Sequence, residues 1–230
     1  SRGIKLLGPN IQDFEPIYNI GIFKILATDG LLPDTQTDNL FVERVSEPER
    51  FDHRVLKYKW STLLKYNLVK KARILQKIGL DFGVNQTSSS TAFWAIYRIE
   101  RILANGKQKQ ADYLTRYFAL LAASGALHQA NWGALICNRG GLIDDGLTDA
   151  EYPALERVAH YQSADGVLHE YQRYPSFYAM QSLLNHLSNT QYIKAVLSAV
   201  GLEVHHFNNQ QWQIHVAWTI NGKVAYLSDI

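Results

Sequence analysis

The sequence predicts a mainly α protein made of paired antiparallel helices with a small C-terminal β-hairpin. Apolar residues recur at helical spacing through residues 60–201, and Gly-containing turns separate the apolar segments. The last segment instead alternates apolar and polar residues on both sides of Asn221-Gly222, a dipeptide typical of a type I′ hairpin turn. A partial (α/α) toroid, with helix pairs stacked around a common axis, and a plain helical bundle both fit this rhythm.

The composition indicates a folded protein without a strong charge. The 230 residues are 47% apolar, which is enough to bury a core, and one compact unit is the working assumption. The formal net charge of +2 creates no field that would recruit nucleic acid, and no apolar run is long enough for a transmembrane segment. Cys137 is the only cysteine, so an intrachain disulfide is excluded. The compartment and the oligomeric state stay open.

Three parts follow one another along the chain. Residues 1–59 are predicted to form an irregular N-terminal arm, because the X-Pro steps in "LGPN", "FEPIYN", "LLPD" and "SEPER" disfavour a continuing helix. Residues 60–203 are predicted to form the paired-helix domain. Residues 204–230 then carry the β-hairpin element.

The first two predicted helices begin the paired-helix domain. The stretch "WSTLLKYNLVKKARILQKIGL" has an apolar stripe, and Gly79 suits the position just after the helix. The stretch "SSSTAFWAIYRIERILANG" offers serine caps at its start and a stop at Asn105-Gly106. Both stretches are therefore predicted as helices.

Further helices are predicted in the second half of the domain. The segment "QADYLTRYFALLAASGALHQANWGALIC" predicts two helices separated near Ser124-Gly125, and Thr148 with Glu151 forms a capping box for the next one. Another helix is predicted to start at Ser176. The stretch "NTQYIKAVLSAVG" predicts a last helix, capped by Asn189.

Several familiar catalytic motifs are missing from the sequence. It contains no phosphate-binding loop that ends in Lys-Ser/Thr, no dinucleotide-binding fingerprint and no His-Glu-x-x-His helix. The eight histidines do not fall at metal-ligand spacing, and His205 and His206 would point to opposite faces of a strand. We therefore expect no metal and no organic cofactor.

The stretch "HQANWG" is the first candidate for substrate binding. An aromatic content of 12%, with five tryptophans, suits a groove in which ring faces stack on a sugar. His128, Asn131 and Trp132 lie together where a predicted helix reaches a Gly. The alternative interpretation is a helix terminus with an Asn cap.

The stretch "ADGVLHEYQRYPSFYAM" is the richer candidate. Asp165-Gly166 predicts a turn, and the residues that follow bring an acid, a base and a cation onto a connection between helices. These residues are His169, Glu170, Arg173, Tyr174 and Tyr178. The alternative interpretation is a solvated loop with an Arg–Glu pair that adds well under about 1 kcal/mol of stability.

The order of "NWGALICNRGGLIDDG" and "YQSADGVLHEYQRYPSFYAM" resembles that in (α/α)-toroid carbohydrate-active enzymes, notably polysaccharide lyases of the alginate lyase type and related toroid glycan enzymes. The resemblance covers about residues 85–187. It implies an oligosaccharide or polysaccharide substrate bound in a groove at helix ends. A full toroid would need more helices than this chain holds.

The resemblance also implies roles for the candidate residues. In a lyase, a base removes the proton α to a uronate carboxylate while Asn or Arg neutralises that carboxylate. Catalytic residues would be His128, Glu170, Arg173, Tyr174 and Tyr178, and substrate-binding residues would be Asn131, Trp132, Asp165 and His169. A glycoside hydrolase would instead use two carboxylates, with Asp165 and Glu170 as the nearest candidates.

Two other function classes stay open. His215 opens an alternating run and Asp229 closes its return, which resembles part of a papain-like cysteine hydrolase with Cys137 as its nucleophile. A lone cysteine of this kind also suits simple core filling. The third class is a non-catalytic binding or interaction module.

Overall fold

The structure is a computed structural model, and it describes residues 4–10, 15–40, 67–92, 106–133, 135–136, 141–143, 173–199 and 201–219. The structural statements below concern these residues. Their helices are α1 (Pro16–Thr28), α2 (Leu68–Asp81), α3 (Gly106–Ser124) and α4 (Pro175–Leu187). Their strands are β1 (Thr35–Asp38), β2 (Gln86–Ala92), β3 (Gln129–Trp132), β4 (Gln191–Ala199), β5 (Leu202–Asn208) and β6 (Gln213–Thr219).

The first three strands form a parallel sheet in the order β1-β2-β3. Helix α2 lies between β1 and β2 along the chain, and α3 lies between β2 and β3. Because the strands are parallel, each connection crosses from one end of the sheet to the other. With the usual right-handed crossovers, a sequential strand order places such helices on one face. Contacts on that face agree: Asn19 of α1 donates to Asp38 (2.8 Å), and Tyr117 of α3 packs against Trp132.

The opposite face of the parallel sheet is polar. Alternation along the strands places Thr35 and Thr37 beside Gln86 and Ser88, and the Thr35 hydroxyl donates to the Gln86 side chain across the sheet. The strands of a parallel sheet usually have continuous apolar sequences, because both faces of such a sheet are buried. These polar strands therefore gave little strand signal.

The core lies between the parallel sheet and its helices. One apolar cluster joins α2 and α3 through residues such as Leu75, Tyr117 and Leu120. A second joins α1 to α2 through Phe23 and Ile78. Trp218 of β6 packs against the first cluster, and it thereby connects the C-terminal sheet to the helical layer.

The C-terminal sheet is antiparallel, in the order β4-β5-β6. The middle strand β5 is the most buried of the three, and Val204 and Phe207 are almost completely enclosed. Helix α4 precedes this sheet and packs on α3. The sheet and α4 together cover the α3 side of the parallel unit.

The predicted fold class is wrong. The described residues contain four helices and six strands, so the protein is mixed α/β. Neither an all-α fold nor an (α/α) toroid of paired antiparallel helices is present in this part of the chain. The error has a physical cause: helices that cover one face of a sheet carry the same apolar stripe as helices that pack on each other. In the described residues, no helix combines the length and apolarity that crossing a membrane requires.

Two predicted helices are strands. The stretch "NTQYIKAVLSAVG" forms β4, which pairs with β5. Asn189 was expected to cap a new helix, but it follows α4 and adopts a left-handed conformation (φ 62°). Residues 129–132, predicted as part of a helix, form β3. Their hydrogen-bonding partners lie on other strands, and such tertiary pairing overrides weak local preferences.

The serines predicted as helix caps belong to β2, where Ser88 pairs with Thr37 of β1. We expected Gly79 to follow the end of its helix. Helix α2 instead continues through Gly79 to Asp81, so Gly79 lies inside it. The predicted break near Ser124-Gly125 is confirmed, because α3 ends at Ser124 and Gly125 has a φ of 64°. The predicted helix at Ser176 is confirmed as α4, which begins one residue earlier.

Parts of the prediction lie outside the described residues. These are the capping box of Thr148 and Glu151, the Asn221-Gly222 turn and residues 93–105. The first alternating run of the predicted hairpin is strand β6, whose described partner is β5. Residues 1–59 contain α1 and β1, and the predicted domain boundaries stay a prediction.

Tyr117 gives a first testable prediction. Its ring is fully buried, and its hydroxyl has no well-formed hydrogen bond to another described residue. Burial raises the pKa of the phenol well above its ordinary value of about 10, and the nearby Ser89 hydroxyl offsets this rise only in part. Above about pH 10 the unfolded chain releases this proton before the folded protein does, so stability falls as pH rises. We expect Tyr117→Phe to change the unfolding free energy by less than about 1 kcal/mol near pH 7 and to weaken the alkaline loss.

Urea denaturation at several pH values measures both effects. Tyr18→Phe serves as the control, because Tyr18 is 67% exposed on α1. An alkaline loss of stability that is the same in Tyr117→Phe and in the wild type would contradict the prediction.

Candidate functional site

The main candidate site is a cleft of about 820 Å³ between α3, α4 and the end of β6. Its volume lies in the usual range for a small-molecule site. The cleft is lined by the N-terminal half of α3, by the start of α4 and by the residues around Trp218. We call it the α3–α4–β6 cleft.

Two predicted catalytic residues, Arg173 and Tyr178, line this cleft. The backbone of Arg173 forms an isolated antiparallel β-bridge with Ile143. The backbone N–H of Tyr174 donates to the Leu142 carbonyl (3.0 Å), and these contacts fix the position of Arg173. Pro175 then begins α4, a position that suits proline because its missing N–H would have no helical partner. The turn into α4 thus places Arg173 just before the helix and Tyr178 in its first turns.

The side chains of Arg173 and Tyr178 share an aromatic neighbour. The Arg173 guanidinium carbon lies 4.8 Å from the centre of the Phe177 ring, and the Tyr178 ring meets Phe177 edge-on at 5.6 Å. Tyr178 is 54% exposed, so its hydroxyl is accessible to a ligand. Among the described residues, no carboxylate forms an ion pair with Arg173, whose side chain contributes to the lining of the cleft.

A second cation is built into the opposite wall. Arg116 is only 6% exposed, and its guanidinium carbon lies 5.4 Å from the Tyr113 ring centre and 5.8 Å from that of Trp218. Lys109 adds another positive charge, whereas Asp112 is the only carboxylate among the described lining residues. The described lining therefore combines positive charge with aromatic rings, a combination that suits a polar ligand with a flat apolar face.

A buried polar network lies behind Trp218. The indole stacks on His205 with 5.0 Å between ring centres, and His205 Nε2 lies 3.5 Å from a carboxylate oxygen of Glu203. The other imidazole nitrogen is 3.2 Å from the Tyr192 hydroxyl. The pKa of Tyr192 is raised, first by burial and then by Glu203, and the Arg73 charge opposes that rise. The network supports one wall of the cleft.

Other predicted site residues lie elsewhere. His128 precedes β3, and its Nδ1 accepts the Thr87 backbone N–H (3.2 Å). Asn131 donates to the Ser89 carbonyl (3.0 Å), and Trp132 packs with Tyr117 in the core. None of these three contributes to the described lining of the α3–α4–β6 cleft.

Tyr174, another predicted catalytic residue, is half-buried and does not contribute to the described lining of the cleft. The Lys107 ammonium lies 3.6 Å from the centre of its ring. Four further predicted residues, Glu170, Asp165, His169 and Cys137, lie outside the described residues, as does Asp229 of the papain-like hypothesis. His215 lies on β6, where its ring stacks against the ring of His206.

Sequence reasoning missed the α3 and β6 side of the cleft. Asp112, Tyr113 and Arg116 are spaced so that they share one face of α3, a signal that was present in the sequence. Trp218 had no such local signal, because its place in the cleft depends on how the C-terminal sheet packs. In the described part of the chain, no group of three or more His, Cys, Asp or Glu side chains could hold a metal ion.

No family model, curated protein or solved structure matches this chain.

Proposed function

We propose that the protein is a carbohydrate-active enzyme that binds an oligosaccharide in the α3–α4–β6 cleft. The observation that carries the proposal is the presence of Arg173 and Tyr178 in one cleft with Trp218 and Tyr113. Aromatic rings stack on the apolar face of a pyranose, and guanidinium groups pair with sugar carboxylates in a planar, bidentate manner. Because folds host many activities, the activity implied by the resemblance does not need the toroid.

The lining favours a polysaccharide lyase over a glycoside hydrolase. In an elimination, Arg173 would neutralise the uronate carboxylate, and ionised Tyr178 would remove the proton from the adjacent carbon. The electron pair of that C–H bond forms a carbon–carbon double bond as the bond to the leaving sugar oxygen breaks, and the phenol then returns the proton to that oxygen. Arg173 and Tyr178 are residue types that this reaction needs.

A hydrolase would need two carboxyl groups flanking the scissile bond. Of the described residues that line the cleft, Asp112 alone carries a carboxylate, and its Oδ1 already accepts a hydrogen bond from Gln108 (3.1 Å). Hydrolysis is therefore the second outcome of an activity assay. The papain-like alternative stays a prediction, because Cys137 and Asp229 lie outside the described residues.

Glycan binding is tested by comparing Trp218→Ala with wild type. We expect Trp218→Ala to weaken binding of the best oligosaccharide at least about 10-fold, or about 1.4 kcal/mol, because a stacking platform is lost. Trp218→Phe should retain most of the affinity. Calorimetry against uronate and neutral oligomers measures these affinities, and Trp212→Ala is the control, because Trp212 is 67% exposed and does not contribute to the described lining.

The reaction type is read from the products of the same oligomers. A lyase creates an unsaturated uronate that absorbs in the ultraviolet, whereas a hydrolase releases reducing ends without that chromophore. Binding without either product would indicate a non-catalytic binding module. If no saccharide bound to the wild type, or if Trp218→Ala and Trp212→Ala bound equally well, the proposal would be wrong.

A further inference from the structure

Two histidines lie opposite each other on neighbouring strands of the C-terminal sheet. His206 of β5 lies directly opposite His215 of β6, and their rings stack with 4.8 Å between centres and 20° between planes. Alternation along β5 puts this pair on the other face of the sheet from His205. The pair is therefore separate from the network behind Trp218.

Hydrogen bonding does not explain the arrangement. The Nε2 atom of His206 is buried and has no hydrogen-bond partner in the part of the chain that the structure describes, while His215 is exposed. A buried polar atom without a partner usually marks the place of a water molecule or an ion. In His206, the atom that lacks a partner among the described residues is thus a nitrogen of the kind that binds metals.

The geometry suits one shared metal ion. Side chains directly opposite on antiparallel strands have Cβ atoms about 4.5–5.5 Å apart. Two metal–nitrogen bonds of about 2.0–2.1 Å in a tetrahedral site place the two nitrogens about 3.3 Å apart. The exposed His215 ring can reach this separation by rotating about its side-chain bonds while the strands stay in place.

We propose that His206 and His215 form a two-histidine site for a divalent transition metal, with the remaining coordination positions open to water. Neutral imidazole suits Cu²⁺, Ni²⁺ and Zn²⁺, and the general affinity order predicts that Cu²⁺ binds most tightly. Lys194 of β4 is paired with His206, and its ammonium charge limits the affinity for a cation. With two ligands and this nearby charge, we expect dissociation constants in the micromolar range. The proposal is independent of the glycan cleft.

The test is metal binding by protein that carries no affinity tag, measured by calorimetry with CuCl₂, NiCl₂ and ZnCl₂ near pH 7.5. We expect one Cu²⁺ per chain, and both His206→Asn and His215→Asn should weaken binding at least about 10-fold. His186→Asn, at an exposed position in the last turn of α4, is the control that removes a histidine elsewhere.

Paramagnetic resonance of the Cu²⁺ complex gives a second measurement. The wild type should show coupling to two nitrogens, and His215→Asn should show the loss of one. Because His215 is exposed, this variant keeps the test valid even where His206→Asn does not fold. Copper affinity that is the same in His215→Asn and wild type, or no binding tighter than about millimolar, would overturn the proposal.

Discussion

Replacing Arg173 by alanine is expected to lower the turnover of a uronate polymer about 100-fold. Arg173 lines the α3–α4–β6 cleft, and in the proposed reaction its guanidinium neutralises the substrate carboxylate. Loss of a group that stabilises developing negative charge costs about 2.7–4 kcal/mol in the transition state, and 100-fold corresponds to the lower figure. The loss should lower kcat, because the negative charge that develops at the reacting carbon in the transition state spreads onto the carboxylate that Arg173 pairs with. KM should rise as well, because that carboxylate is already charged in the bound substrate.

Arg173→Lys should retain part of this activity. An ammonium keeps the positive charge but cannot form the two parallel hydrogen bonds that a guanidinium offers to a carboxylate. Steady-state kinetics on the polymer that the wild type cleaves fastest measures the series. Lys77→Ala is the matched control, because it removes a positive charge that pairs with Asp81 on α2 (2.8 Å) and does not line the described part of the cleft. Equal turnover by Arg173→Ala and Lys77→Ala would remove Arg173 from the reaction.

Gly79→Ala is expected to destabilise the protein by about 1–3 kcal/mol, although alanine is ordinarily the better helix former. Gly79 lies inside α2, where a Cβ atom would stand 2.9 Å from the Val84 carbonyl oxygen and would overlap the Gln36 side chain of β1. The backbone near Val84 cannot easily retreat, because the Val84 N–H donates to the Gly79 carbonyl (2.9 Å). The steric cost therefore exceeds the gain in helix propensity.

Gly21→Ala is the matched control for this prediction. Gly21 lies inside α1, and an added Cβ there meets nothing within 4 Å, so the variant should gain up to about 1 kcal/mol. Urea unfolding of the two variants and wild type measures both changes. If Gly79→Ala were as stable as Gly21→Ala, the close approach of α2 to β1 would be wrong.

Signals that act within a few residues were sufficient to predict some elements. Gly125 ends α3 in a left-handed conformation that favours glycine, and Pro175 begins α4 at the position that proline tolerates best. The cluster of Arg173 and Tyr178 was found in the same way, because both residues lie in one short stretch before and inside a single helix. Its function as a site stays a prediction.

The sequence by itself determined these helix boundaries, the alternation of β6 and the local cluster at Arg173, because each depends on neighbouring residues. Only the tertiary structure decided that "NTQYIKAVLSAVG" is strand β4 and that polar "QTSSSTA" is the central strand β2 of a parallel sheet. A strand has no hydrogen bonds of its own, and its partners lie far away along the chain. The same reason applies to the cleft: Arg116 and Trp218 join Arg173 only because β6 packs against α3, a contact between distant segments that no local pattern records.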